Sequence, residues 1–231
     1  MEKTVFMKWL YSDDLINWRH SIFVLTPIRT KWLASYALLT VVIFALAACD
    51  SPPDNPENIC EIFDDRGSWH RAAKRSHKKW GAPIALQMAI LKTESSFEDD
   101  ARPNRRWFLG LVPLGRPSSA YGYAQAIDGT WATYKKQTGD SGADRDDFSD
   151  AVDFVGWYVH KSHKELGLSK ADFYSQYLAY HEGQSGFRRR TFEGKPNLQR
   201  KAQRVQSLAN RYAAQYAACK DDLGGFFLSP F

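Results

Sequence analysis

Apolar positions recur at helical spacing over most of the chain. After Pro83, Ile84, Met88, Leu91 and Ser95 fall on one stripe, with Gln87 and Ile90 beside it, which predicts a helix over 83–96. Further helices are expected over 68–80, from a Ser68 cap to Gly81, and over 128–138, carrying Trp131 and Tyr134. Phe148, Val152, Val155 and Val159 predict a helix over 146–166 that opens in an acidic first turn. Ser169 and Asp172 open one over 169–180. Pro196 starts a last one over 196–217, with Leu198, Ala202, Val205, Ala209, Tyr212 and Tyr216 as its apolar face. No alternating pattern of similar quality exists, and at most a short β-hairpin fits between residues 103 and 123. The expected class is mostly α.

The chain ahead of residue 60 reads differently. Residues 32–48, WLASYALLTVVIFALAA, carry no charge, follow Lys31 and are slightly short for a spanning helix. The run closes as Leu46-Ala47-Ala48-Cys49. This resembles a bacterial lipoprotein signal, which implies removal of 1–48, a long n-region included, and lipidation of Cys49. An uncleaved anchor helix with an incidental cysteine is the competing reading. Residues 49–59 then form a lipidated Cys and Pro-rich linker, extended and without a core. The expected layout is completed by a globular domain over 60–219 and a short tail over 220–231. Asp50 resembles the signal that retains lipoproteins in the inner membrane of a Gram-negative host, so the domain would face the periplasm.

In that oxidising compartment Cys60 and Cys219 make a natural pair, tying the two ends of the domain together; two free thiols are the alternative. No Cys or His spacing suits a metal, and no metal is expected. Composition, 44% hydrophobic and 14% aromatic, supports a real core. The net charge is +5. Removing the first 49 residues takes away five Lys/Arg and three Asp/Glu, which leaves 26 against 23, or +3. That balance permits an acidic polymer as partner without requiring one. It argues against nucleic acid, although Arg188-Arg189-Arg190 and the Arg residues at 102, 105 and 106 could meet phosphates.

Chemistry enters with Glu94, on the last turn of an otherwise apolar segment. A carboxyl group near the negative end of a helix dipole, and buried, holds its proton more tightly, as a general acid must. A solvated helix-end residue is the plain alternative. Residues 98–120 form a long connection mixing Arg102, Arg105, Arg106 and Arg116 with Trp107, Phe108 and several aliphatics. Such a loop suits either a groove for sugar rings and acidic peptides or a cover for the core.

Glu94-Ser95, then Gly122-Tyr123-Ala124-Gln125, then Ala179-Tyr180-His181 stand in order along the chain. They resemble three motifs of the soluble lytic transglycosylase family, lysozyme-like enzymes that cut bacterial peptidoglycan: a Glu-Ser pair ending a helix, a Gly-Leu-Met-Gln turn, and an Ala-Tyr-Asn motif. Tyr123-Ala124 replaces Leu-Met and His181 replaces Asn, and the likeness covers roughly residues 80–190. It implies a lysozyme-like fold in which Glu94 is the catalytic acid, then base. Ser95 would orient substrate or the acid, Gly122, Tyr123 and Gln125 would shape and bind the glycan site, and Tyr180 would position the Glu94 carboxyl. His181 and Glu182 would lie in the cleft or serve as helix-end surface residues.

The reaction so implied cleaves the β-1,4 bond between N-acetylmuramic acid and N-acetylglucosamine and leaves 1,6-anhydro ends. One carboxyl group serves as acid and base, and no cofactor is needed. The expected partners are glycan strands and, through Cys49, a membrane, with the protein a monomer. A goose-type lysozyme shares the fold but hydrolyses, and would need Asp99, Asp100 or Glu182 as base. A non-catalytic peptidoglycan-binding lipoprotein is the remaining alternative.

Overall fold

A computed structural model describes residues 51–105, 107–108 and 112–223. The expectations for the signal segment, Cys49 and Asp50, and those for the last eight residues, lie outside the described residues. Among the described residues the chain forms seven helices and one short hairpin: α1 Ile59–Asp65, α2 Gly67–Trp80, α3 Ile84–Ser95, β1 Trp107–Phe108, β2 Val112–Pro113, α4 Asp128–Thr138, α5 Phe148–Leu166, α6 Phe173–Arg188 and α7 Pro196–Cys219. The mostly α class therefore holds. The two strands pair antiparallel with Trp107 opposite Pro113 and Phe108 opposite Val112, inside the interval where a hairpin was expected.

Helix α3 is the axis of the fold. Every residue from Ile84 to Leu91 is buried, so the single stripe read from the sequence understates it: this helix is covered on all sides. It packs against α2, α5 and α7, and α6 packs in turn against α5 and α7. A helix enclosed in this way has few ways to shift, which fixes the position of whatever its last turn carries.

Aromatic packing locks the neighbouring elements. Trp69 of α2 stacks on Phe148 of α5 with centroids 3.8 Å apart and planes 4° from parallel. Tyr123 meets both rings edge-on, at 5.7 and 5.5 Å. Such edge and offset pairs add to the burial of large apolar surfaces.

Two expectations need correction. The helix of 68–80 starts at Gly67 behind Arg66, with no side-chain cap, so Ser68 does not open it. The helix α1 that precedes it leaves no room for such a start. Nor is the linker free throughout. Pro53 and Ile59 are buried, Asn58 caps α1 by accepting from the Cys60 N–H at 3.0 Å, and the Ile59 N–H donates to Gln215 Oε1 at 3.1 Å. Prolines suggested an extended spacer, but the segment's one large aliphatic and its Asn pull it onto α7. The folded body thus begins ahead of Cys60.

At the far end Cys60 and Cys219 are joined in a disulfide, their Cα atoms 6.1 Å apart, closing a loop of 159 residues in sequence separation. The paired-thiol expectation holds.

Candidate active site

The last turn of α3 brings Glu94 to the surface of an otherwise enclosed helix. Immediately beyond it Ser96 and Phe97 both take left-handed backbone, at φ 56° and 65°. Non-glycine residues there cost of order 1–3 kcal/mol each and need support. Ser95 supplies it: its hydroxyl donates to the Leu91 carbonyl at 3.1 Å and accepts from the Phe97 N–H at 3.1 Å. Ser95 is buried, and its hydroxyl is spent on the chain's own backbone. Of the two parts expected for Ser95, orienting substrate or orienting the acid, these bonds bear on the second, since they clasp the turn that follows Glu94.

Glu94 keeps 12% of its side chain exposed. Its Oε1 accepts from the Tyr177 hydroxyl at 2.6 Å and from the Lys201 ammonium at 3.3 Å. Among the described residues Oε2 has no hydrogen-bond partner. Burial, the Glu94 charge and the hydrogen bond to it all push the Tyr177 phenol up, so it stays a neutral donor. Lys201 also sits over the Tyr177 ring, 5.6 Å from its centroid.

Tyr180 takes a different part from the one expected. Its hydroxyl donates to the Ala124 carbonyl at 2.6 Å, which pins the Gly122–Gln125 turn to α6, while Tyr177, one turn earlier, holds the carboxylate. The helical period could have shown this, since residues three apart share a face. Burial and the charge of Glu94 push the Tyr180 phenol up as well.

The Gly122–Gln125 turn is built by close backbone approach. Gly122 has φ 73°, and a Cβ there would lie 2.0 Å from the Arg145 carbonyl oxygen, so only glycine fits. The Gly122 N–H reaches the Ala101 carbonyl at 3.0 Å, and the Tyr123 N–H reaches that of Arg145 at 3.2 Å. Tyr123 is a core ring, 1% exposed, and neither it nor Gly122 lines the cleft. Gln125 does. Its amide nitrogen donates to the carbonyls of Ala101 at 2.8 Å and Gly122 at 2.9 Å, and its amide oxygen has no hydrogen-bond partner among the described residues.

Arg145 was not anticipated. Its Nη1 reaches the carbonyls of Ser119 and Ala126, at 3.0 and 2.9 Å, and Asp128 Oδ1 at 2.9 Å. A single cation thereby gathers both ends of the turn. Nothing in the residues around it distinguishes it from a surface arginine.

Glu94, Gln125, Tyr180 and His181 line one open cleft of about 460 Å³. Ile127, 48% exposed, gives it an apolar wall suited to a sugar face. Helix α6 was expected to stop at residue 180 but continues to Arg188 through a kink at Gly183, whose φ 73° and ψ 161° are accessible in practice only to glycine. The continuation carries His181 and Glu182 into the cleft. His181 is 44% exposed, whereas Glu182 is only 5% exposed, so the surface reading fails for the acid. Glu182 accepts from Lys195 at 2.8 Å on both oxygens, from Thr191, and pairs with His181 Nδ1 at 3.1 Å. Burial raises its carboxyl, but these bonds, Lys195 first, overcome that and hold it down at about 2.

An enclosed helix that ends in a largely covered carboxyl group, on a cleft lined by Tyr158, Tyr180 and Gln125, defines a lysozyme-like domain. Over residues 37–219 the chain matches the transglycosylase SLT domain family, and it belongs to that family. The match reaches past the motifs to α7, which supplies Lys201. Membership implies a transglycosylase acting on peptidoglycan. None of the curated proteins compared with the chain matches it.

Proposed function

We propose that the protein is a peptidoglycan lytic transglycosylase that cleaves the bond between N-acetylmuramic acid and N-acetylglucosamine, with Glu94 as sole general acid and base. The observation that carries this reading is the asymmetric hold on Glu94, a residue that lines the cleft: both donors engage Oε1, and Oε2 has no hydrogen-bond partner among the described residues. In the reaction the protonated carboxyl gives its proton to the bridging oxygen, the C1–O bond breaks, and N-acetylglucosamine leaves with a free C4 hydroxyl. The acetamido oxygen of N-acetylmuramic acid supports the cationic C1. The Glu94 carboxylate then takes the C6 hydroxyl proton as O6 bonds to C1, closing the 1,6-anhydro ring. Intramolecular attack gains from high effective concentration. Ile127 and the Gln125 amide oxygen would seat the sugar.

Hydrolysis by a second carboxylate is the poorer fit. Glu182 is the other carboxylate among the described cleft residues, and its bonds to Lys195, with an acidity near 2, make it a weak base. Asp99 and Asp100 do not line the cleft.

The placement we favour is the periplasmic face of a bacterial membrane, held by lipidated Cys49 after removal of residues 1–48. The Cys60–Cys219 disulfide supports an oxidising compartment. Digestion of purified sacculi with mass spectrometry of the products tests the activity. Anhydro ends, one water lighter than reducing ends, are expected from the wild type. Glu94→Gln should lower their release by at least about 1,000-fold, the scale of losing acid catalysis, with the melting temperature kept. Reducing ends, or an active Glu94→Gln, would overturn the assignment.

A further inference from the structure

Beside the cleft lies a second cavity of about 690 Å³, between the last turn of α3 and the exposed flank of α7. Five cations line it, Lys92, Arg200, Lys201, Arg204 and Arg211, against one carboxylate, Glu57. Glu57 is shared by Lys92 and Arg211, so its one negative charge balances only one of the two cations it pairs with. Burial first, then the nearby Arg211 charge, pull the Lys92 ammonium down from its usual value, as expected where cations crowd. Arg204 has no ion-pair partner among the described residues, and Arg200 touches only the neutral amide of Asn197. Residues 200, 204 and 211 are exposed and share one face of α7, opposite its buried stripe.

Crowding like charges costs stability unless an anion relieves it. The cavity is also connected to the chemistry. Lys201 lines it, lines a smaller cavity with His181, and donates to Glu94 Oε1. An anion held here therefore sits one side chain from the proposed acid. In peptidoglycan the anion found so close to the scissile bond is the stem peptide, joined through a lactyl ether to the very sugar whose C1 reacts. Its glutamyl, diamino-acid and terminal residues carry free carboxylates.

We propose that this cavity is the subsite for the carboxylates of the stem peptide, with Arg200 and Arg204 as its unpaired anchors and Lys201 as the link to the cleft. The proposal rests on the transglycosylase reading and names the part of the substrate that reading leaves open. It makes the enzyme one for peptide-bearing strands over naked glycan. Arginine forks suit carboxylates held two oxygens at a time.

The test uses the full-length protein and a free tetrapeptide, L-Ala-γ-D-Glu-diaminopimelate-D-Ala. Titration calorimetry should show binding that weakens at least about tenfold in the Arg200→Gln, Arg204→Gln double variant, or when the peptide carboxylates are amidated. In cleavage assays, wild type should prefer intact strands over strands stripped by an amidase. The double variant should lose that preference and keep its rate on stripped strands. Equal binding of acid and amide peptides, or a variant that keeps the preference, overturns the proposal. So does a variant that loses only its affinity for phosphatidylglycerol vesicles, which would assign the cavity to lipid phosphates. Charge-dependent peptide binding without cleavage of either strand would instead uphold the subsite and sink the transglycosylase reading.

Discussion

Tyr177 and Lys201 both donate to the same oxygen of Glu94, and the two donors differ in kind. The phenol is buried and fixed on α6, while the ammonium keeps 37% of its side chain exposed. Orientation of the carboxyl group therefore falls to Tyr177. Tyr177→Phe should lower turnover up to about 100-fold, the order expected for a misplaced reacting group, and should leave the KM for glycan strands nearly unchanged. The same substitution at Tyr180 would free the Ala124 carbonyl and loosen the glycine turn, so the two variants separate the roles. At this scale the sequence was partly legible. Glu94, Gln125 and Tyr180 lay in motifs and reach one cleft. Ser95, Gly122 and Tyr123 lay in the same motifs yet serve the backbone or the core, because a motif records what a turn needs as well as what a ligand touches. Tyr177, Lys201 and Arg145 sit outside any motif, and their parts arise only from how α6, α7 and the glycine turn meet.

Among the elements, α6 departs most from its sequence pattern. Its apolar period fades after Tyr180, and a glycine follows, which reads as an end. The chain instead turns through Gly183 and resumes, and Glu182 is buried against Lys195 and Thr191. The same pattern logic succeeded for α5 and α7, whose long stripes left one solution, and for the shorter α4, and it missed α1, a seven-residue helix behind prolines. The buried acid has a pH consequence. Its folded-state acidity near 2 lies below the ordinary 4.5, so the stabilisation it brings is complete above about 4.5 and is lost as the pH falls toward 2. Thermal melts from pH 6 downward should show this loss in the wild type. In Glu182→Gln the decline over that window should be shallower, and the melting temperature at pH 6 lower. A variant with an unchanged acid limb would show that the Lys195 contact carries no such linkage.

For the whole molecule, the closed ring between Cys60 and Cys219 restrains the unfolded chain more than the folded one. In the chain-entropy treatment a loop of this length contributes about 5 kcal/mol. Replacing both cysteines by Ala should cost a sizeable part of that, read as a lower urea midpoint, while the cleft, at the other end of α7, keeps its activity in mild conditions. Loss of activity with no change in midpoint would place the disulfide's importance in the site rather than in the fold.

The covalent ring has one more effect. A protease that nicks any single exposed loop between the two cysteines, such as the one around Gly139 to Gly142, produces two fragments that remain linked. In a compartment shared with hydrolases, a domain clipped once would travel as one piece until its sulfur bridge met a reductant.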